Sequence, residues 1–274
     1  MVTMEFCRRC EQKSDSEKNI FCPFCSGKFK IDKYKSMQED YENFSKLREN
    51  IDNNENLKLE KSVIKKALSE LISGVTIQMF LYANYIAPKN RYSLLSEIFQ
   101  PKNPNDIEGY QRRLFVMSLN FRSFAQASFY TLLMFTVESF LRSIYEQIPN
   151  NKETKIDFNE LQKKVLKHVK ISNYEQSYDI FKTMALIRNC LHNDGYYQGK
   201  EQEHTKIEKY DFYFKINQLV PYRTWKHLHF FTEKIINVLE EITISVKNNH
   251  IPISDRVIKY DFDLDEVIKR SKES

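Results

Sequence analysis

The stretch Phe129-Tyr130-Thr131-Leu132-Leu133-Met134-Phe135-Thr136-Val137-Glu138-Ser139-Phe140-Leu141-Arg142 decides the fold class. It lies inside a longer apolar segment from Gly109 to about Gln147, with Leu114, Phe115, Met117, Leu119, Phe121, Phe124 and Ile144 on either side. Apolar residues fall nearly all round a helical projection of its middle. That pattern predicts a long, central, buried helix. Glu138 is the one acid between Phe129 and Arg142.

Working outward, helical periodicity recurs. An amphipathic helix is expected from about Leu57 to Ala87, stopped by Pro88. Residues 89 to 108 carry Pro101 and Pro104 and read as a connection. Helices are expected from about Phe158 to Lys170 and from about Tyr174 to Asn193. A last one begins near Thr224, with Trp225, Leu228, Ile235, Leu239, Ile242 and Val246 at helical spacing. Tyr210 to Ile216 alternates, Asn217-Gln218 follows, and then Leu219-Val220-Pro221. This predicts a short β-hairpin turning at Asn217-Gln218. Residues 34 to 60 are almost purely polar, a charged helix followed by an Asn-rich linker from Asn50 to Asn56.

The bulk composition agrees. Gly numbers 5 and Pro 7 in 274 residues, too few for a many-stranded sandwich or barrel. Hydrophobic residues make up 41%, enough for a sizeable core. A net charge of +5 permits a nucleic-acid partner without demanding one. No apolar run follows Met1. The longest uncharged stretch, between Arg122 and Glu138, is too short to span a bilayer. The expectation is a mainly α, soluble, cytoplasmic protein with no membrane partner.

Four of the five cysteines sit in the first 25 residues, as Cys7-x2-Cys10 and Cys22-x2-Cys25. Two intervening residues let both sulfurs of a pair turn to one side of a tight knuckle. Two knuckles supply the four thiolates of a closed tetrahedral zinc site. Pro23 and Gly27 provide turn chemistry. So small a segment would take its folding energy from the metal. With no open coordination position, this zinc is structural. Lys28, Lys30, Lys33 and Lys35 alternate with Phe29, Ile31 and Tyr34, as in a basic strand for nucleic acid or a merely solvated one. Residues 1 to 35 carry eight basic and five acidic residues. Zinc with four thiolates brings the net to about +1, which leaves both readings open.

The second constellation is Leu186-Ile187-Arg188-Asn189-Cys190-Leu191-His192-Asn193-Asp194-Gly195. Gly195 is a natural helix terminator. At about 100° per residue Arg188 and His192 fall about 40° apart, on one face over Ala185. A guanidinium can hold a phosphate through two hydrogen bonds and stabilise developing charge. An imidazole can move a proton from a 2′-hydroxyl or to a leaving oxygen near neutral pH. That route cleaves RNA without metal. A plainer use of the same residues is also open. A histidine at a helix C-terminus favours the helix dipole, and Arg188 can pair with Glu138.

At Arg188-Asn189, His192 and Asn193-Asp194-Gly195 the chain resembles the HEPN superfamily of helical domains. Val137-Glu138-Ser139-Phe140-Leu141-Arg142 resembles the acid-bearing helix of several HEPN families. The likeness covers about residues 60 to 247, and its Arg-to-His spacing is shorter than the usual family pattern. It implies a helical bundle, homodimerisation through the motif helices and, often, metal-independent RNA cleavage in toxin–antitoxin or phage-defence systems. Arg188 would bind phosphate, His192 would act as acid or base, Asn189 would be the polar residue after the arginine, and Glu138 would orient Arg188. Many such domains serve only in dimerisation or binding. The organisation expected is a zinc ribbon over residues 1–35, a linker with a charged helix over 36–59, a HEPN-like domain over 60–247 and a polar tail over 248–274.

Overall fold

The computed structural model describes residues 4–6, 13–15, 33–59, 62–82, 107–149, 156–222 and 224–254. In chain order come strands β1 (Met4–Phe6) and β2 (Lys13–Asp15), helix α1 (Lys33–Asn53), a 3-10 turn at Glu55–Leu57, α2 (Ile64–Leu81) and α3 (Ile107–Tyr145). Then follow α4 (Phe158–Val169), α5 (Tyr174–His192), β3 (Glu203–Ile207), β4 (Tyr210–Phe214) and α6 (Trp225–Asn248). The protein is mainly helical with small antiparallel strand pairs, as the composition predicts. No described helix is long and apolar enough to cross a membrane.

The helix boundaries follow local chemistry. Asp157 caps α4 by accepting from the Glu160 amide at 2.9 Å. Thr224 caps α6 by accepting from the His227 amide at 3.3 Å. Lys170 closes α4 in a left-handed conformation, φ 55°. Helix α6 runs along the core: Trp225, Leu228, Phe231, Ile235, Leu239, Ile242 and Val246 are all buried.

The polar segment before residue 60 is no spacer. Helix α1 places Phe44, Leu47 and Ile51 at i, i+3 and i+7, and all three are buried. The Phe44 ring meets Phe129 of α3 edge-on at 5.6 Å, and Trp225 and His229 of α6 at 6.1 and 5.5 Å. The Asn-rich stretch is docked as well. Glu240 of α6 accepts from Asn54 Nδ2 at 2.9 Å and from Asn56 Nδ2 at 2.6 Å. Lys247 Nζ donates to the carbonyls of Glu55 and Asn56. Leu57, fully buried, is the anchor these polar contacts hold down.

The hairpin differs from its prediction. Tyr210–Phe214 is a strand, but its partner is the preceding Glu203–Ile207, in the register His204↔Tyr213 and Thr205↔Phe212. The turn falls at Glu208-Lys209, with Glu208 at φ 51°. Asn217 does turn the chain, at φ 57°, but its amide donates to Tyr197 O, and Gln218 O accepts from the Tyr197 amide. Thr205, Ile207, Phe212 and Phe214 point inward, and Phe212 packs on Phe231 at 5.1 Å.

Helix α3 also departs from the uniformly buried helix expected. Phe129, Leu133, Val137, Phe140 and Leu141 are buried, whereas Phe124 is 71% and Phe135 57% exposed. Its apolar content exceeds what one core can cover.

His229 sits half-buried against Phe44, and burial lowers its pKa below the ordinary 6.5. The folded chain therefore holds it neutral while the unfolded chain protonates at 6.5. Stability is complete above that value and falls as the pH drops below it toward the folded-state pKa. Melting temperatures measured from pH 7.5 to 5.0 should fall more steeply for wild type than for His229→Phe. Parallel curves would refute the assignment.

Candidate active site at the end of helix α5

Helix α5 carries the Arg-to-His motif in its last turns. Its buried residues, Ile180, Phe181, Thr183, Met184, Ala185, Ile187 and Cys190, seat it in the core. An ion pair from Lys182 Nζ to Glu203 Oε2 at 2.7 Å ties β3 to its outer side.

The end of the helix is a tight cap. The Asn193 amide donates to Cys190 O at 2.9 Å and the Gly195 amide to the same carbonyl at 2.8 Å. Asn193 Nδ2 covers the Asn189 carbonyl at 3.1 Å. The left-handed turn needs two residues. Asp194 takes φ 54° and Gly195 takes φ 89°. Gly195 is thus the second residue of the terminator, with Asp194 in the position glycine usually fills. The chain then pairs with the segment after β4, Val220 N donating to Gly195 O at 2.9 Å.

Arg188 is half-buried, and Asn189 and His192 are exposed. The Arg188 Nε is buried with no hydrogen-bond partner among the described residues. A buried N–H left unpaired costs about 1–3 kcal/mol. His192, the last residue of α5, presents its imidazole to solvent one turn further on.

Glu138 does not orient Arg188. Its Oε1 accepts from Arg142 Nε at 2.9 Å and from Arg142 Nη2 at 2.6 Å. Arg142 Nη2 also donates to Ile156 O at 3.1 Å, which pins the chain ahead of α4. The i, i+4 spacing of Glu138 and Arg142 carries this pairing in the sequence itself, and it is the contact that the expected Glu138–Arg188 pair overlooked. Cys190 lies between the motif residues but is 2% exposed, and burial pushes its thiol up to about 11. It is no nucleophile at neutral pH.

Cys7, Cys10, Cys22 and Cys25 lie outside the described residues. The paired strands β1 and β2 flank Cys7 and Cys10 in sequence, in the register Glu5↔Ser14. Among the described residues no group of three or more His, Cys, Asp or Glu is placed to hold a metal ion.

Comparison with protein-family models yields no match, and neither curated proteins nor solved structures yield one. The chemistry of the site therefore carries the functional argument.

The cap geometry is testable by itself. A non-glycine residue in the left-handed region costs on the order of 1 kcal/mol. Asp194→Gly should raise the melting temperature by about 1–3 °C. Gly195→Ala should lower it. An unchanged or lower value for Asp194→Gly would contradict the assignment of the terminator.

Proposed function

We propose that the protein is a HEPN-type endoribonuclease whose site is Arg188 and His192 on helix α5, with Asn189 beside the arginine. It acts in the cytoplasm as a homodimeric toxin or phage-defence effector. The observation that carries this reading is the half-buried Arg188 guanidinium, its Nε without a hydrogen-bond partner among the described residues, one helical turn from an exposed histidine. Arg188 would hold the scissile phosphate and stabilise charge as it develops. His192 would shuttle the proton of the 2′-hydroxyl or the leaving oxygen. No step needs a metal. The zinc bound by Cys7, Cys10, Cys22 and Cys25 would fold the N-terminal ribbon and take no part in bond cleavage.

One observation favours a second reading, a non-catalytic HEPN-like module whose ribbon docks nucleic acid or a partner protein. The acid expected to steer Arg188 is engaged by Arg142 instead. A guanidinium held without that steering can still bind phosphate.

Purified protein should cleave total RNA in excess EDTA, and His192→Ala should lower the rate by about 10²–10⁴-fold. Arg188→Ala should cost a comparable factor of about 10²–10³. Equal cleavage by wild type and both variants would remove the nuclease reading. RNA that stays intact yet is retained by wild type and released by Arg188→Ala would establish the binding module. Elemental analysis should find one zinc per chain, lost in Cys22→Ser. A metal-free wild type would sink the ribbon.

A further inference from the structure

We propose that the outer face of the β3–β4 hairpin binds single-stranded RNA, with the stacked rings of His204 and Tyr213 as a platform for its bases. The two residues are direct cross-strand partners. Their rings lie parallel, with centroids 4.2 Å apart and planes at 4°. The Tyr213 amide turns away from β3 and donates to Tyr222 Oη at 2.8 Å. That marks a pair without mutual backbone hydrogen bonds, the kind that brings side chains closest. His204 Nε2 donates to Asp211 Oδ1 at 3.1 Å, which fixes the imidazole plane. Both residues are exposed, Tyr213 at 51%.

The core does not require these rings. Thr205, Ile207, Phe212 and Phe214 bury the inner face, and strand alternation puts His204 and Tyr213 on the other. No further ring packs on either among the described residues. The outer face therefore offers a short aromatic column, already aligned, that an unpaired base can extend. Stacking of this kind accepts any base, because every base has a flat face.

Charge selects a polyanion as the ligand. The three acids of the hairpin are engaged: Glu203 by Lys182 at 2.7 Å, Glu208 by Lys234 at 2.6 Å and Asp211 by His204. Lys206 and Lys215 are exposed and enter no ion pair among the described residues. Lys206 stands two residues from His204, toward the turn. Lys215 stands two residues from Tyr213 in the opposite direction, just past β4. At about 3.4 Å per residue, each lies about 7 Å along the strand from the platform. A sugar–phosphate backbone crossing the hairpin thus meets a cation on either side of the stacked base. A duplex hides its base faces within its own stack, so the platform selects unpaired strands.

The hairpin is tied to the end of α5. Beyond Lys215, the Asn217 amide donates to Tyr197 O and the Val220 amide to Gly195 O. The choice of RNA as the polymer rests on the nucleolytic reading, but the platform itself uses neither Arg188 nor His192.

The test is fluorescence anisotropy on the full chain with a short labelled 2′-O-methyl RNA of mixed sequence, alone and annealed to its complement. The methylated strand cannot be cut through its 2′-oxygen, so binding is read apart from cleavage. Wild type should bind the single strand. Tyr213→Leu should weaken that binding by about tenfold and duplex binding by less than about twofold. Tyr213→Phe keeps the ring and should bind like wild type. Lys206→Gln combined with Lys215→Gln should lower the slope of log affinity against log salt by about 1.4, about 0.7 for each lost phosphate contact. Both lysines are exposed, so this variant should keep the wild-type melting temperature and holds the test open if Tyr213→Leu loosens the hairpin. A wild type that does not bind overturns the proposal. So does Tyr213→Leu binding like wild type, an equal loss for single strand and duplex, Tyr213→Phe as weak as Tyr213→Leu, or an unchanged salt slope. A chain that shows the expected pattern yet never cleaves RNA keeps the platform and loses only the nuclease. One that cleaves RNA while its binding ignores Tyr213 keeps the nuclease and loses the platform.

Discussion

Phe44 is the point at which the fold is tied together. Its ring lies edge-on to Phe129 of α3 and to Trp225 and His229 of α6, so three helices distant in sequence meet on one side chain. Removing a buried phenylalanine costs about 3–5 kcal/mol, a large part of what a domain has to spare. Once α1 is fixed there, the Asn54 and Asn56 amides reach Glu240, Leu57 is sealed beneath them, and α2 is launched alongside. Helix α6 then serves as the axis against which the hairpin and α5 are placed.

That placement gives the candidate site its character. Helix α5 is held on its buried side by the core and on its outer side by the Lys182–Glu203 pair. Its end is closed by Asn193, Asp194 and Gly195. The result is a capped helix end carrying a half-buried guanidinium and an exposed imidazole. The glutamate that sequence likeness would have assigned to the site serves the scaffold instead, locking α3 to the chain ahead of α4.

The hairpin shows where local signals mislead. Asn217 was the strongest turn former in the region, and it does adopt a left-handed φ. Yet the pairing it supports is with Tyr197, and the true hairpin turns at Glu208-Lys209, which carries no glycine or asparagine. The choice was made by burial. Thr205 and Ile207 supply an inward row that matches Phe212 and Phe214, and that row packs against α6. A turn with weaker chemistry prevails when the strands it joins bury more surface.

Much was decided by the sequence alone. Scarcity of glycine and proline, and apolar periodicity of 3.6, were enough for a mainly helical fold and for the ends of α4, α5 and α6 to within a residue or two. These features are local, arising from caps and spacing that act within one or two turns. The one-face placement of Arg188 and His192 is likewise a property of a single helix. Tertiary structure alone decided the rest: that α1 belongs to the core, that the hairpin uses the earlier strand, and that α3 leaves Phe124 and Phe135 uncovered. Each of these depends on which surfaces meet across long sequence separations. Composition can say how much apolar surface a chain carries, but only packing determines which of it is buried.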